Sequence, residues 1–283
     1  MLPEGVRVTA SCAISLFNFL QYMVLIVVDI CCIVLCRGAF KIRGASNSIF
    51  ALDNSQAAKG VVMHSSGNHA AAVALAAKLR GIPAYIVIPK NAPACKVDNV
   101  KRYGGQVIWS DVTMDSRESM AKKFQEETGA ILIHPFNDKY TISGQGTVCL
   151  ELLELVPKID TIIVPISGGG LISGVALTAK AINPLIRILP AEPKGADDSA
   201  QPVVRDLVED VIVVYENAIV DAMKMCYETL KVAVDLSGAI GLAAVLSDDE
   251  FKQSSAWHES SKIGIIVSRG NVDLCVLWDS LYK

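Results

Sequence analysis

From Val61 onward the chain alternates short, unbroken apolar runs with helix-length stretches, and this alternation restricts the fold more than any other feature. Strands are expected at Val61 to His64, Ala84 to Ile88, Gln106 to Trp109, Ile131 to Ile133, Thr161 to Pro165, Ile186 to Leu189 and Ile263 to Val267. Between them, helices are expected at Asn68 to Leu79, Ala94 to Tyr103, Asp115 to Glu127 and Gly146 to Val156. Further helices are expected from the glycines after Pro165 to Ile182, at Asn217 to Leu230 and at Ser237 to Leu246. Strands that are apolar throughout, rather than at every second residue, must be covered on both faces. Alternation with helices then gives an α/β fold with mostly parallel sheets and right-handed crossovers. Gly81-Ile82-Pro83 and Gly104-Gly105 mark the returns from helix to strand.

The N-terminus does not share this pattern. No charged residue occurs between Val8 and Val28; Asp29 interrupts, and Ile30 to Cys36 is apolar again, with Arg7 and Arg37 as flanks. Such a run meets the length criterion for a membrane span. It also fits a core element, or a stretch foreign to the folded body, such as an alternative first exon. A signal peptide fits less well, because the run is too long and has no clear cleavage site.

The net charge of -3, with no basic block, argues against nucleic acid as a partner. The eight cysteines form no disulfide framework, so reduced thiols and a cytoplasmic body are expected. Residues 8–28 leave a membrane anchor as the alternative location. Four dispersed histidines are too few for a histidine-built metal site.

Four features carry chemistry. Lys41 sits in the glycine-flanked stretch Gly38-Ala39-Phe40-Lys41-Ile42-Arg43-Gly44. A lysine amine becomes a nucleophile when its surroundings lower its pKa, and it forms Schiff bases with carbonyls. Ser167-Gly168-Gly169-Gly170 follows a strand and opens a helix, where backbone N–H groups and the helix dipole suit a phosphate. The same glycines would also make a tight turn. Ser65-Ser66-Gly67-Asn68-His69 lies at another strand-to-helix junction and fits either a helix cap or a polar loop gripping a cofactor edge and a substrate carboxylate. Ser268 follows the last strand, placed to cap a helix or to hydrogen-bond a ring nitrogen. Together, lysine, phosphate cup, serine loop and terminal serine describe a pyridoxal phosphate site. Glu192, Asp197 and Asp198 form an acidic patch that reads as solvated loop acids or as oxygen ligands for a hard cation.

Phe40-Lys41-Ile42-Arg43-Gly44-Ala45, His64 to His69, Gly144-Gln145-Gly146-Thr147, Ser167 to Leu171 and Ala191-Glu192-Pro193 resemble the serine racemase and threonine dehydratase family, of the tryptophan-synthase-β-like class. The resemblance implies a two-domain fold type II architecture. Residues 37–59 and 138–283 would form the large cofactor domain and 60–137 the small one, with 1–36 foreign to both. It implies that Lys41 holds pyridoxal phosphate covalently and acts as base on one face of the substrate Cα, with Ser66 as base on the other. Phe40 would back the ring and Asn68 would bond its phenolic oxygen. Ser167, Gly168, Gly169, Gly170 and Leu171 would hold the phosphate, and Ser268 would face the pyridine nitrogen. Ser65, Ser66, Gly67, Asn68 and His69 would bind substrate. Glu192, the Ala196 carbonyl and Asp198 would take magnesium (or calcium or manganese). ATP as activator and a homodimer are implied as well. The activity implied is serine racemisation with β-elimination to pyruvate and ammonia; a threonine dehydratase is the nearest rival.

The chain departs from the family pattern at four places. The segment before Lys41 is replaced, and a segment is missing after Gln201. Asp235-Leu236-Ser237-Gly238 stands for Glu-Pro-Ser-Gly, and Arg269 stands for a glycine. These departures imply impaired activity. The reading of another class is a non-catalytic member that binds a full-length partner.

Overall fold

The computed structural model describes residues 39–65, 67–196, 206–247, 249–254, 257–258, 260 and 262–270, together with the backbone of 14–18 and 24–29. In chain order its elements are β1 (Ile14–Asn18), β2 (Val24–Asp29), α1 (Lys41–Phe50), α2 (Asn54–Ala58), β3 (Val61–His64), α3 (Asn68–Arg80), β4 (Ala84–Pro89), α4 (Ala94–Arg102), β5 (Gln106–Ser110), α5 (Met114–Thr128) and β6 (Ile131–Leu132). There follow α6 (Lys139–Leu155), β7 (Thr161–Pro165), α7 (Gly170–Ile182), β8 (Arg187–Pro193), β9 (Ile212–Val214), α8 (Glu216–Met225), α9 (Leu236–Ser247), α10 (Asp249–Gln253) and β10 (Lys262–Val267).

The chain divides into two compact units. The first, residues 41–144, is built on a four-stranded parallel sheet of order β5-β4-β3-β6. Val61, Val62, Met63, Ile86 and Val87 are buried because helices cover both faces. Gly81 and Gly129 end α3 and α5 in the left-handed conformation, which a residue with a Cβ adopts only at a cost. This unit takes in residues 41–59 and 138–144, which the sequence assigns to the large domain. The reason is packing: α1 lies against α3, and Ser48 on α1 bonds Asp138 and Thr141.

The second unit, residues 39–40 and 145–270 with the two N-terminal strands, holds a six-stranded sheet of order β1-β2-β10-β7-β8-β9. All its neighbours are parallel except β1 with β2. One apolar cluster joins α8 and α9 to the sheet through Met223, Ile240, Ala243 and Ile265. A second joins α6 and α7 through Leu152, Val175, Ile188 and Phe40.

Within the apolar N-terminal run, residues 14–18 and 24–29 are strands of this sheet. β2 pairs along the full length of β10, from Val24 opposite Lys262 to Asp29 opposite Val267. No helix among the described residues is long and apolar enough to cross a membrane. Three other differences concern element ends. α6 begins at Lys139, seven residues before the expected Gly146. β8 continues to Pro193, and the expected helix to Leu230 loosens at Cys226 into a π-turn closed by left-handed Lys231.

Candidate active site

Lys41 is the first residue of α1, and its amine donates to the Pro135 carbonyl at 2.8 Å. The helix that carries it is held along its length. Arg80 of α3 donates to the carbonyls of Ile49 and Leu52 at its C-terminal end. Asn47 donates to the Tyr140 carbonyl at 2.7 Å. A Cβ on Gly144 would lie 2.6 Å from the Arg43 carbonyl oxygen, so only glycine permits this approach of the two backbones.

The serine loop leaves the C-terminal end of β3. Ser65 donates its N–H to Val87 at 3.2 Å, and its hydroxyl accepts from the Gly67 N–H at 3.1 Å. Gly67 is the residue that caps α3, with no side-chain bond. The cap expected of serine or asparagine is therefore absent from this helix: the Ser65 hydroxyl is spent inside its own turn, and Asn68 is already helical. Ser66 lies outside the described residues.

His69 is 3% exposed. Its Nε2 bonds the Ile133 carbonyl at 3.1 Å, while Nδ1 is buried with no hydrogen-bond partner among the described residues. Donation to a carbonyl fixes the neutral ring with its proton on Nε2. Burial, and then the nearby Lys41 ammonium, push its pKa down to about 3. His64 and His134 lie near it, at the C-terminal end of β3 and just past the end of β6. Burial lowers both. His134 Nδ1 accepts N–H bonds from Asn137 at 2.9 Å and Phe136 at 3.4 Å. Three imidazoles that resist protonation thus stand in the unit that holds Lys41.

In the second unit, β7 ends at Pro165 and α7 opens at Gly170. Gly169 is left-handed (φ 80°), and no side-chain bond caps the helix. The first-turn N–H groups of an α-helix have no intrahelical acceptor, so this turn suits a phosphate. Leu171 is buried and Ser167 exposed. Beyond β10, Ser268 is 3% exposed and its carbonyl accepts the Phe40 N–H at 3.2 Å. Phe40 and Ser268 are therefore tied together, and Lys41 is the next residue in the chain.

Glu192 differs from its expected setting. It is a strand residue in register with Val213, 4% exposed, not a solvated loop acid. Ala196 ends a short 3-10 turn, and Asp197 and Asp198 lie outside the described residues. Among the described residues no group of three or more His, Cys, Asp or Glu is placed to hold a metal ion.

Gln145 was not legible as a site candidate. Its amide is fully buried, and neither its nitrogen nor its oxygen has a hydrogen-bond partner among the described residues. A buried amide left so costs about 1–3 kcal/mol, which marks a place where a polar group is wanted. The signal available in the sequence was a glutamine between two glycines, Gly144 and Gly146. Gly146 is forced by α7, since a Cβ there would lie 2.4 Å from Thr178 Oγ1.

The family model for pyridoxal-phosphate dependent enzymes matches residues 37–268. A serine racemase of Oryza sativa subsp. indica is 77% identical over 275 residues, covering 87% of this chain and 81% of that protein. A serine racemase of Arabidopsis thaliana is 60% identical, covering 86% and 82%. The structure of maize serine racemase superposes with a TM-score of 0.85 at 69% identity, over 92% of this chain and 87% of that one. The rice alignment is longer than 87% of this 283-residue chain, so that protein carries a stretch absent here.

Proposed function

This chain belongs to the pyridoxal-phosphate dependent enzymes, and on that premise we propose that it interconverts L- and D-serine and also eliminates the serine β-hydroxyl to give pyruvate and ammonia. The observation that carries the reading is Lys41: it opens a helix pinned at its far end and middle, one residue after Phe40, with its amine held on the Pro135 carbonyl. The 77% identity to a serine racemase favours serine over threonine as substrate.

Each of the two units offers groups suited to the cofactor. The uncapped first turn of α7 behind left-handed Gly169 would take the phosphate, with Ser167, Gly168, Gly170 and Leu171. Phe40 would back the ring, Asn68 would bond its phenolic oxygen, and buried Ser268 would meet its nitrogen. The orphaned Gln145 amide supports a polar guest. When bound, the cofactor delocalises the electron pair left on the substrate Cα. Lys41 and Ser66 would move the proton at that carbon, one on each face, which permits inversion. A neutral hydroxyl at Ser268 would leave the ring nitrogen unprotonated, which suits racemisation and elimination. Ser65, Gly67, Asn68 and His69 would seat the substrate carboxylate. His69 would line that seat as a neutral ring whose proton is already given to Ile133, so the hydrogen bonds to the carboxylate would come from its neighbours.

Magnesium on Glu192, the Ala196 carbonyl and Asp198, ATP as activator, and a homodimer belong to the same proposal. So does a cytoplasmic location, supported by Cys95, Cys149 and Cys226 standing as thiols. The longer rice alignment supports a missing segment, whose place after Gln201 is what the family pattern implies.

The test is to express the full chain, add pyridoxal phosphate and record the visible band of the lysine-bound cofactor before and after borohydride. D-serine and pyruvate are then measured from L-serine, with L-threonine as competitor. A band lost in Lys41→Ala, with D-serine formed, is the expected result. Soluble protein without a band defeats the enzyme reading, and threonine turned over faster than serine makes the chain a dehydratase.

A further inference from the structure

Two positions where the chain departs from its family pattern meet in the structure. Arg269 Nε lies 3.2 Å from Asp235 Oδ1, with side chains 35% and 22% exposed. The same carboxylate oxygen accepts the Gly238 N–H at 2.9 Å, at the start of α9. The backbones join as well: the Asp235 N–H donates to the Arg269 carbonyl at 3.2 Å. On the other side of residues 268–269, Ala39 forms an antiparallel bridge with Arg269, and the Phe40 N–H donates to Ser268. The approach is close throughout. A Cβ on Gly270 would lie 2.0 Å from the Ala233 carbonyl oxygen, and one on Gly238 2.2 Å from that of Arg269.

Residues 268–270 are thus held from two directions, Ser268 and Arg269 by residues 39–40, and Arg269 and Gly270 by residues 233–238. An arginine beside Ser268 would bring a full positive charge next to a serine expected to stay neutral. That charge is turned onto Asp235. We propose that Arg269 and Asp235 form a charge-neutral clamp that positions Ser268 against the cofactor ring and keeps the net charge beside the ring nitrogen near zero. The proposal rests on the cofactor reading given above. Both residues act through Ser268 and the local field, so they are positioning residues.

The field gives the clamp a signature that mere structural support lacks. With the cofactor bound, the nitrogen joining it to Lys41 would be a cation when protonated, so added positive charge would lower the pH at which it loses its proton and added negative charge would raise it. For any unit charge about 10 Å from such a nitrogen, at an effective dielectric near 20, Coulomb's law gives a shift in that midpoint of about one pH unit. Asp235→Asn keeps an oxygen for the Gly238 N–H but uncovers the guanidinium, so the midpoint falls. Arg269→Gly removes the positive charge and leaves the negative one of Asp235, so it rises. The double variant removes both charges and returns it to the wild-type value.

The experiment is a pH titration of the visible cofactor band in the full-length wild type, both single variants and the double variant, each loaded with pyridoxal phosphate. Opposite shifts in the singles, with recovery in the double, are expected. Singles that shift together, or not at all, overturn the clamp while leaving the enzyme reading intact. A wild type with no Lys41-dependent band overturns the cofactor reading, and the clamp falls with it.

Discussion

Replacing His69 with glutamine should flatten the dependence of stability on pH between 7 and 5. The ring is buried and neutral, with a pKa near 3 against an ordinary value of 6.5. A group depressed on folding takes up its proton first in the unfolded chain. Its contribution is therefore fully present above about pH 6.5 and is lost as pH falls toward 3, at about 1.4 kcal/mol per pH unit. From pH 7 to pH 5 the loss comes to about 2 kcal/mol from this one residue. His64 and His134 act in the same direction, but they are common to both proteins and cancel in the difference. Glutamine does not titrate and can still donate to the Ile133 carbonyl that His69 Nε2 bonds at 3.1 Å. Urea unfolding of both proteins at pH 7 and pH 5 measures the effect. The variant starts lower, because the packed ring is gone, but should lose about 2 kcal/mol less on acidification. Parallel losses would refute the argument and show that His69 binds a proton in the folded state above pH 5.

Three further outcomes follow from packing and backbone. Gly60→Ala places a Cβ 2.6 Å from the Pro83 carbonyl oxygen at φ +81°; strain plus crowding should cost about 2–5 kcal/mol by urea unfolding. Leu152→Ala empties a fully buried position in the cluster between α6 and the large sheet, and a loss of about 2–5 kcal/mol is expected by the same method. Gly169→Ala puts a methyl at a left-handed cap; a cost of about 1–2 kcal/mol to the turn should weaken pyridoxal phosphate binding roughly tenfold, read by cofactor titration.

The body of the fold was legible because its strands are apolar throughout. β3, β4, β5, β7 and β10 lie within a residue of their expected ends, and α7 ends at Ile182 as read. What escaped was decided by partners distant in sequence. α6 runs back to Lys139 because Thr141 and Asp138 bond Ser48, and no local pattern announces that. Glu192 reads as a loop acid because charge ordinarily ends a strand, yet it is paired in register inside β8. The apolar run before Lys41 has the composition of a span. Only its pairing with β10, far along the chain, makes two stretches of it strands. At the site, each motif was visible by its residue types, but the Arg269–Asp235 pair was not, since the two look like unrelated departures until the backbone brings them side by side.

The strand order has a consequence for how the chain reaches this structure. In the six-stranded sheet β10 lies between β2 and β7, so the last described strand enters the middle beside one of the first. Synthesis releases β2 early, and it must wait for almost the entire polypeptide before its parallel neighbour exists. Residues 41–144, by contrast, close a sheet from strands near one another in sequence and need no later segment. The first unit can form while the second is still being made, whereas the second is limited by non-local pairing, the slow step in sheet folding. During that interval β2 has β1 on one side only, and its other edge stands open to a wrong partner. Yield from expression should therefore respond to temperature and chaperone supply more steeply than the stability of the finished protein suggests.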